Sequence, residues 1–247
     1  MNRSDLEDIL PLSPLQQGFF FHALLDGGSA GQAGGDIYTA QLTLDLEGPL
    51  DAAVLRASAQ TLLRRHPNLR AAFWHEGLSR PVQVIPRRVD LPWQEIDVAS
   101  EEEADRLAEQ ELRRPFDLTE PPLLRFTLAR LPGGRHRLIF TNHHILLDGW
   151  STPVLATELF ALYVAGGSDN GLPRPAPYKS YLAWLVKQDR AAAEDAWRQA
   201  LDGLEEPTLV APELAGRPPV PPGRRGGGLE EKLSGRLTPL APPPRPP

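Results

Sequence analysis

The sequence predicts an α/β fold, and three patterns carry that reading. Tyr38 to Leu46 alternates, with Ala40, Leu42, Leu44 and Leu46 facing one way and Thr39, Gln41, Thr43 and Asp45 the other, the period of a half-buried strand. Leu124, Phe126 and Leu128 alternate with Arg125, Thr127 and Ala129, and Pro132-Gly133-Gly134 turns that strand into a second one, His136–Asn142. Between the strands lie segments with helical stripes and capping residues.

The elements follow in order. Ile9 to Pro14 is an extended lead-in, stiffened by two prolines that fix φ. Ser13 reads as an N-cap and Pro14 as the first helical residue. Leu15, Phe19, His22 and Ala23 then give a short amphipathic helix over Leu15–Leu25, ending in Asp26-Gly27-Gly28 and a Gly/Ala/Ser-rich loop to Gly35. After the first strand, Asp51 caps a helix whose stripe runs through Val54, Leu55, Ala59, Leu62 and Leu63 and stops before Pro67. Leu69–Trp74 and Arg80–Ile85 read as short strands. Ser100 with Glu103 forms a capping box for a helix that buries Ala104, Leu107, Ala108 and Leu112.

After the hairpin, Ser151 or Thr152 caps a helix with Val154, Leu155, Leu159, Leu162 and Tyr163 on its stripe, ended by Gly166-Gly167. A proline-spaced linker leads to two helices, Tyr178–Val186 and Ala191–Leu201. The last 32 residues hold ten of the 27 prolines and Gly226-Gly227-Gly228. That stretch cannot bury enough apolar surface to offset backbone ordering of ~1–2 kcal/mol per residue, so residues 216–247 are expected to be a mostly disordered tail.

Bulk properties narrow the function. The chain has 247 residues, 41% of them hydrophobic, with a net charge of −6, which argues against nucleic-acid binding because no basic excess would displace counterions. There is no cysteine, hence no disulfide, thiolate nucleophile or Cys-based zinc site. Met1 to Asp8 lacks the basic start and apolar core of a signal peptide, and no run approaches the ~20 apolar residues of a membrane span. A cytoplasmic location with no membrane partner is expected.

Chemistry concentrates in His143-His144-Ile145-Leu146-Leu147-Asp148-Gly149-Trp150-Ser151. Two histidines close an apolar strand, whose alternation sends their rings to opposite faces. A desolvated, neutral His144 would suit a general base, a role worth typically ~10²–10⁴-fold. Asp148 either orients the imidazole, as in a triad, or is a buried structural carboxylate paired with an arginine of Arg65-His66-Pro67-Asn68-Leu69-Arg70. Adjacent histidines diverge and no third-ligand spacing is present, so no metal is expected. There is no GxSxG elbow, no phosphate-binding glycine loop and no covalent nucleophile.

The same stretch resembles the HHxxxDG signature of condensation domains of nonribosomal peptide synthetases. Leu12-Ser13-Pro14-Leu15-Gln16-Gln17-Gly18 resembles the family's opening motif, with Leu15 where methionine is common. Arg65 to Phe73 resembles its RHxxLRxxF motif, and Tyr178–Leu201 the segment leaving the first lobe. The resemblance implies a chloramphenicol-acetyltransferase-like lobe with a mixed sheet flanked by helices. It implies amide-bond formation between a carrier-bound donor thioester and a carrier-bound acceptor amine. No cofactor binds directly; both substrates ride on phosphopantetheine arms of donor and acceptor peptidyl carrier proteins, in an assembly line with adenylation domains. His144 is then the active-site histidine, with His143, Asp148, Gly149, Trp150 and Ser151 completing the motif. Gly149 lines the site, and Asp148 pairs with Arg65 in preference to Arg70. Trp150-Ser151 favours a condensation domain over an epimerization domain.

Family members run to roughly twice this length. The resemblance therefore implies an N-terminal lobe over residues 1–175, crossing helices over 176–215 and a second lobe largely missing, as in a truncated chain with an exposed apolar face. A stand-alone acyltransferase of the same superfamily and an inactive carrier-binding remnant are the alternatives.

Overall fold

The computed structural model describes residues 5–25, 37–206, 208 and 211; the glycine-rich loop and the tail expected over 216–247 lie outside them. Two sheets organise the described residues. The larger has the order β2-β7-β6-β5, formed by β2 (Thr39–Glu47), β7 (Arg135–His143), β6 (Leu124–Leu131) and β5 (Trp93–Asp97). It is mixed: β2, β7 and β6 are antiparallel, while β5 runs parallel to β6. The smaller is antiparallel, with β1 (Leu6–Pro11), β4 (Val82–Pro86) and β3 (Ala72–Trp74) in the order β1-β4-β3.

The large sheet is covered on both faces. Helices α2 (Ala52–Arg65) and α4 (Ser151–Val164) pack on the face that presents Leu124, Phe126, Leu128, Leu138 and Phe140. The even-numbered leucines of β2 point to that side, as the alternation requires. Helix α3 (Glu101–Arg113), the crossover between β5 and β6, covers the other face with Ala104 and Leu107 against Ala129 and Leu131. Helix α1 (Pro14–Leu25) shares a second core with the small sheet, built on Leu12, Phe20, Phe73, Ile85, Leu123 and Ile145. Two more helices follow, α5 (Tyr178–Val186) and α6 (Arg190–Ala200).

Caps set the boundaries. Asp51 accepts the Val54 N–H at 3.0 Å and Ser100 the Glu103 N–H at 3.3 Å. Glu103 reaches back one residue further than a capping box needs, to the Ala99 N–H at 2.7 Å. In the hairpin turn Gly133 and Gly134 have φ of +77° and +73°, values that L side chains avoid.

Three expectations need correction, and one strand has no counterpart among them. Leu69 and Arg70 belong to a 3₁₀ turn, Pro67–Arg70, because Pro67 at its first position favours a helical start; the strand begins only at Ala72. Strand β5 was not anticipated: Trp93–Asp97 is a parallel edge strand with only partial burial, so it lacks a clean alternation. Helix α3 leaves Leu112 exposed and buries Glu111, which accepts from Arg125 Nε at 2.7 Å. Helix α1 turns Gln16 and Phe20 inward and leaves Leu15 64% exposed, since a helix apolar on several sides carries no stripe to fix its rotation.

Candidate active site around His144

Strand β7 ends at His143, and the two histidines part there. His143 is fully buried, and its Nδ1 accepts the Ile145 N–H at 3.0 Å, which places the ring proton on Nε2. His144 lies just past the strand. Its backbone N–H donates to the Tyr38 carbonyl at 2.8 Å, extending the contact with the start of β2 by one residue.

The His144 ring is half-buried, and its Nδ1 lies 2.9 Å from the Leu147 carbonyl. A carbonyl can only accept, so Nδ1 carries a proton, and in the neutral ring the lone pair then lies on Nε2. The turn His143–Leu146 that returns the chain is closed by the Leu146 N–H donating to the His143 carbonyl at 3.1 Å. Phe19 of α1 stacks on the imidazole, with ring centroids 5.9 Å apart, and meets Tyr38 edge-on at 4.8 Å. The Tyr38 hydroxyl in turn pairs with His22 Nδ1. An imidazole with one nitrogen anchored to backbone and the other holding a lone pair can accept a proton from an attacking nucleophile or orient it by a hydrogen bond.

Asp148 is placed differently from the expected ion pair. Its carboxylate is exposed and accepts from the Ser151 N–H at 2.8 Å and the Ser151 hydroxyl at 2.6 Å. It thereby ties the first residue of α4 to the turn before it; the cap expected from Ser151 or Thr152 is not made, since the helix begins at Ser151 and the residue before it, Trp150, offers no side-chain cap. The hydrogen bond from the Ser151 hydroxyl, then that from its backbone, holds the Asp148 carboxyl below the usual carboxylate range. Arg65 sits at the end of α2 and faces Glu158 Oε2 at 3.5 Å and Asp169 Oδ2 at 3.5 Å, and it donates to the Pro173 carbonyl at 2.8 Å. Glu158 is seven residues along α4 from Ser151, roughly 10 Å at 1.5 Å per residue, so Arg65 meets α4 two turns away from Asp148. Arg70 is also committed elsewhere: buried, it pairs with Glu7 and donates to the Pro86 carbonyl at 3.0 Å and the Leu63 carbonyl at 2.7 Å. The local contact prevails because a carboxylate three residues from a helix start needs no long-range partner to satisfy it.

Gly149 and Trp150 lie on the surface beside His144's loop, with Trp150 87% exposed. Among the described residues no group of three or more His, Cys, Asp or Glu is placed to hold a metal ion. No described helix is long and apolar enough to cross a membrane.

Sequence reading missed the groups that surround His144. Phe19, His22 and Tyr38 read as helix and strand residues, and only the fold brings them together. Gln16 carried a signal, because Ser13 and Gln16 stand at capping-box spacing; the Ser13 N–H donates to Gln16 Oε1 at 3.0 Å and the Gln16 N–H to Ser13 Oγ at 3.2 Å.

Known proteins resemble the chain in sequence and fold. The family described as "Condensation domain" matches residues 6–224. Chondramide synthase cmdD of Chondromyces crocatus is 41% identical over 180 residues, 71% of this chain and 5% of that protein. Bacitracin synthase 3 of Bacillus licheniformis is 35% identical over 227 residues, 87% of this chain and 4% of that protein. The chain thus spans a small part of the curated relatives it matches. The starter condensation domain of rhizomide synthetase RzmA superposes with a TM-score of 0.69 at 18% identity, over 81% of this chain and 50% of that one, a likeness of fold. The family match over most of the length, together with relatives above 30% identity, shows that the chain belongs to the condensation domains of nonribosomal peptide synthetases.

Proposed function

We propose that this chain carries the reacting histidine of an amide-bond-forming site. The carrier-bound acceptor amine attacks the thioester carbon of a carrier-bound donor. The C–N bond forms, the C–S bond breaks and the phosphopantetheine thiol leaves. The proton shed by the amine is taken or held by His144 Nε2 and passes to the departing sulfur, so the imidazole ends unchanged. The observation that carries this reading is the Nδ1 contact with the Leu147 carbonyl at 2.9 Å, which makes Nε2 the acceptor of the neutral ring. Gly149 and Trp150 would line the approach, and Asp148 would hold the α4 start that fixes the loop from its far end. On this reading residues 1–175 form the lobe that presents His144, residues 176–215 cross toward a second lobe, and the partners are donor and acceptor carrier proteins working with adenylation domains.

The test is dipeptidyl-thioester formation with loaded carriers, wild type against His144→Ala. Loss of a general base predicts a fall of roughly 10²–10⁴-fold in turnover with carrier binding retained. Equal turnover in both proteins would remove His144 from the chemistry. Carrier binding without turnover in either would favour a carrier-docking module.

A further inference from the structure

Gln16 is 6% exposed, and its amide meets four separate elements. Its carbonyl oxygen receives the Ser13 N–H at 3.0 Å, Gln83 Nε2 at 3.0 Å and the Tyr178 hydroxyl at 3.2 Å. Its NH₂ donates to the Ile145 carbonyl at 3.1 Å. The amide's orientation follows from its partners, because Ser13 N–H can only donate and the Ile145 carbonyl can only accept. A capping box accounts for the Ser13 bond and leaves the other three unexplained.

Those three meet at the Gln16 amide, and one of them reaches the loop that sets His144. Ile145 is held by its carbonyl through Gln16, by its N–H through His143 Nδ1 at 3.0 Å, and by its side chain in the core of α1 and the small sheet. With Ile145 fixed at three points, the following turn has one course, and Leu147 arrives under the His144 Nδ1–H. Gln83 steadies the amide from β4 and itself donates to the Pro11 carbonyl at 2.8 Å. Tyr178 is the first residue of α5, and burial pushes its phenol up, keeping it a neutral donor.

We propose that Gln16 is the positioning residue for His144, clamping the Ile145–Leu147 turn through the Ile145 carbonyl, and that the Tyr178 hydroxyl lets α5 set that clamp. The proposal rests on His144 being the reacting group. Gln16 touches no reacting atom; it acts through the loop. A helix that moved would thus loosen or tighten the imidazole from a distance, by one shared amide.

Gln16→Glu separates positioning from capping. Glutamate retains an oxygen for Ser13 and Tyr178 and is a favoured capping-box residue, but it replaces the NH₂ with an oxygen facing the Ile145 carbonyl. Tyr178→Phe leaves the Gln16–Ile145 bond intact and removes only the lever. The measurements are the ¹⁵N-histidine tautomer signature of His144 and amide exchange at Ile145, both on the full chain, alongside the urea midpoint. The Nδ1–H tautomer should lose population in Gln16→Glu and Ile145 exchange should rise roughly tenfold, the equivalent of one lost bond to a buried carbonyl. Tyr178→Phe should give a rise of roughly threefold, as expected for a weaker, indirect loss. With loaded carriers, kcat should fall and KM stay. A folded Gln16→Glu protein with wild-type tautomer and exchange overturns the proposal. If Gln16→Glu does not fold, Tyr178→Phe decides alone, and unchanged exchange overturns it. Absence of turnover in wild type would defeat the amide-forming reading, while the tautomer and exchange measurements would still decide the role of Gln16.

Discussion

Replacing Asp148 with alanine separates two accounts of this aspartate. A carboxylate paired with Arg65 in the interior would cost ~3–5 kcal/mol to remove, because the guanidinium would be left buried and unpaired. The structure gives a smaller figure. The group removed lies in the turn ahead of α4 and makes a cap-like contact, accepting from the Ser151 N–H at 2.8 Å and its hydroxyl at 2.6 Å. Caps are worth ~0.5–2 kcal/mol, and exposure puts this contact near the lower half, since water can partly replace it. About 1 kcal/mol corresponds to roughly 2–4 °C in Tm for a domain of this size. The assay is urea unfolding of wild type, Asp148→Ala, Arg65→Ala and the double variant. The two losses should add within ~0.5 kcal/mol, the scatter of independent sites. Asp148→Asn keeps the acceptor and should lie close to wild type. The pH dependence has a definite sign. The folded carboxyl is held low, so its contribution is present above the unfolded value of ~3.9 and is lost as pH falls through the folded one. The gap between wild type and Asp148→Ala should be flat from neutral pH down to ~5 and close below ~4. A coupling above ~1.5 kcal/mol between positions 65 and 148 would refute the cap account.

Two further predictions concern the frame of the site. Glu111→Ala should destabilise by ~3 kcal/mol in urea unfolding, because it removes the carboxylate facing Arg125, whose side chain is 6% exposed, lies over the Phe116 ring, has its pKa lowered by burial to about 10 and keeps only its bonds to the Glu111 and Arg114 carbonyls. Gly167→Ala should lose more than Gly166→Ala. Both have φ in the left-handed region, +86° and +66°, worth ~1–2 kcal/mol of strain, but only at Gly167 would the new Cβ lie 3.3 Å from the Ala57 Cβ on α2.

The parts of the fold visible in the sequence are those whose signals are local. Asp51 and Ser100 bond backbone three residues away, and the turn at Pro132-Gly133-Gly134 needs its glycines for its own conformation, so these were readable from a few neighbouring residues. What was not readable depended on partners far along the chain. Strand β5 exists because β6, some 33 residues on, offers it an edge; Trp93 pairs with Phe126. Glu111 is buried because Arg125 crosses beneath it from β6. Helices α1 and α5 give the plainest case. Their apolar residues point several ways, and Leu15, Phe21 and Trp184 end up exposed while Gln16 does not. Composition shows that such a helix has apolar surface, but the face it buries is settled by what packs on it.

The pair His143-His144 shows the same division inside the site. Alternation alone separates the two rings, and that much follows from a period of two. It does not say which ring stays with the ladder and which leaves it. The decision lies in where β7 stops. His143 is the last residue paired with β2, opposite Thr39, and is therefore buried with the sheet. His144 spends its N–H on the Tyr38 carbonyl, outside the ladder, and its ring is then free to bend back onto Leu147 and beneath Phe19. His143, one step inside the strand, is fixed by the sheet, and Ile145, one step further out, is fixed by the core and by its two backbone bonds. The position just past the end is the one that a distant amide such as Gln16 can hold, because its neighbour Ile145 offers a carbonyl that no strand claims.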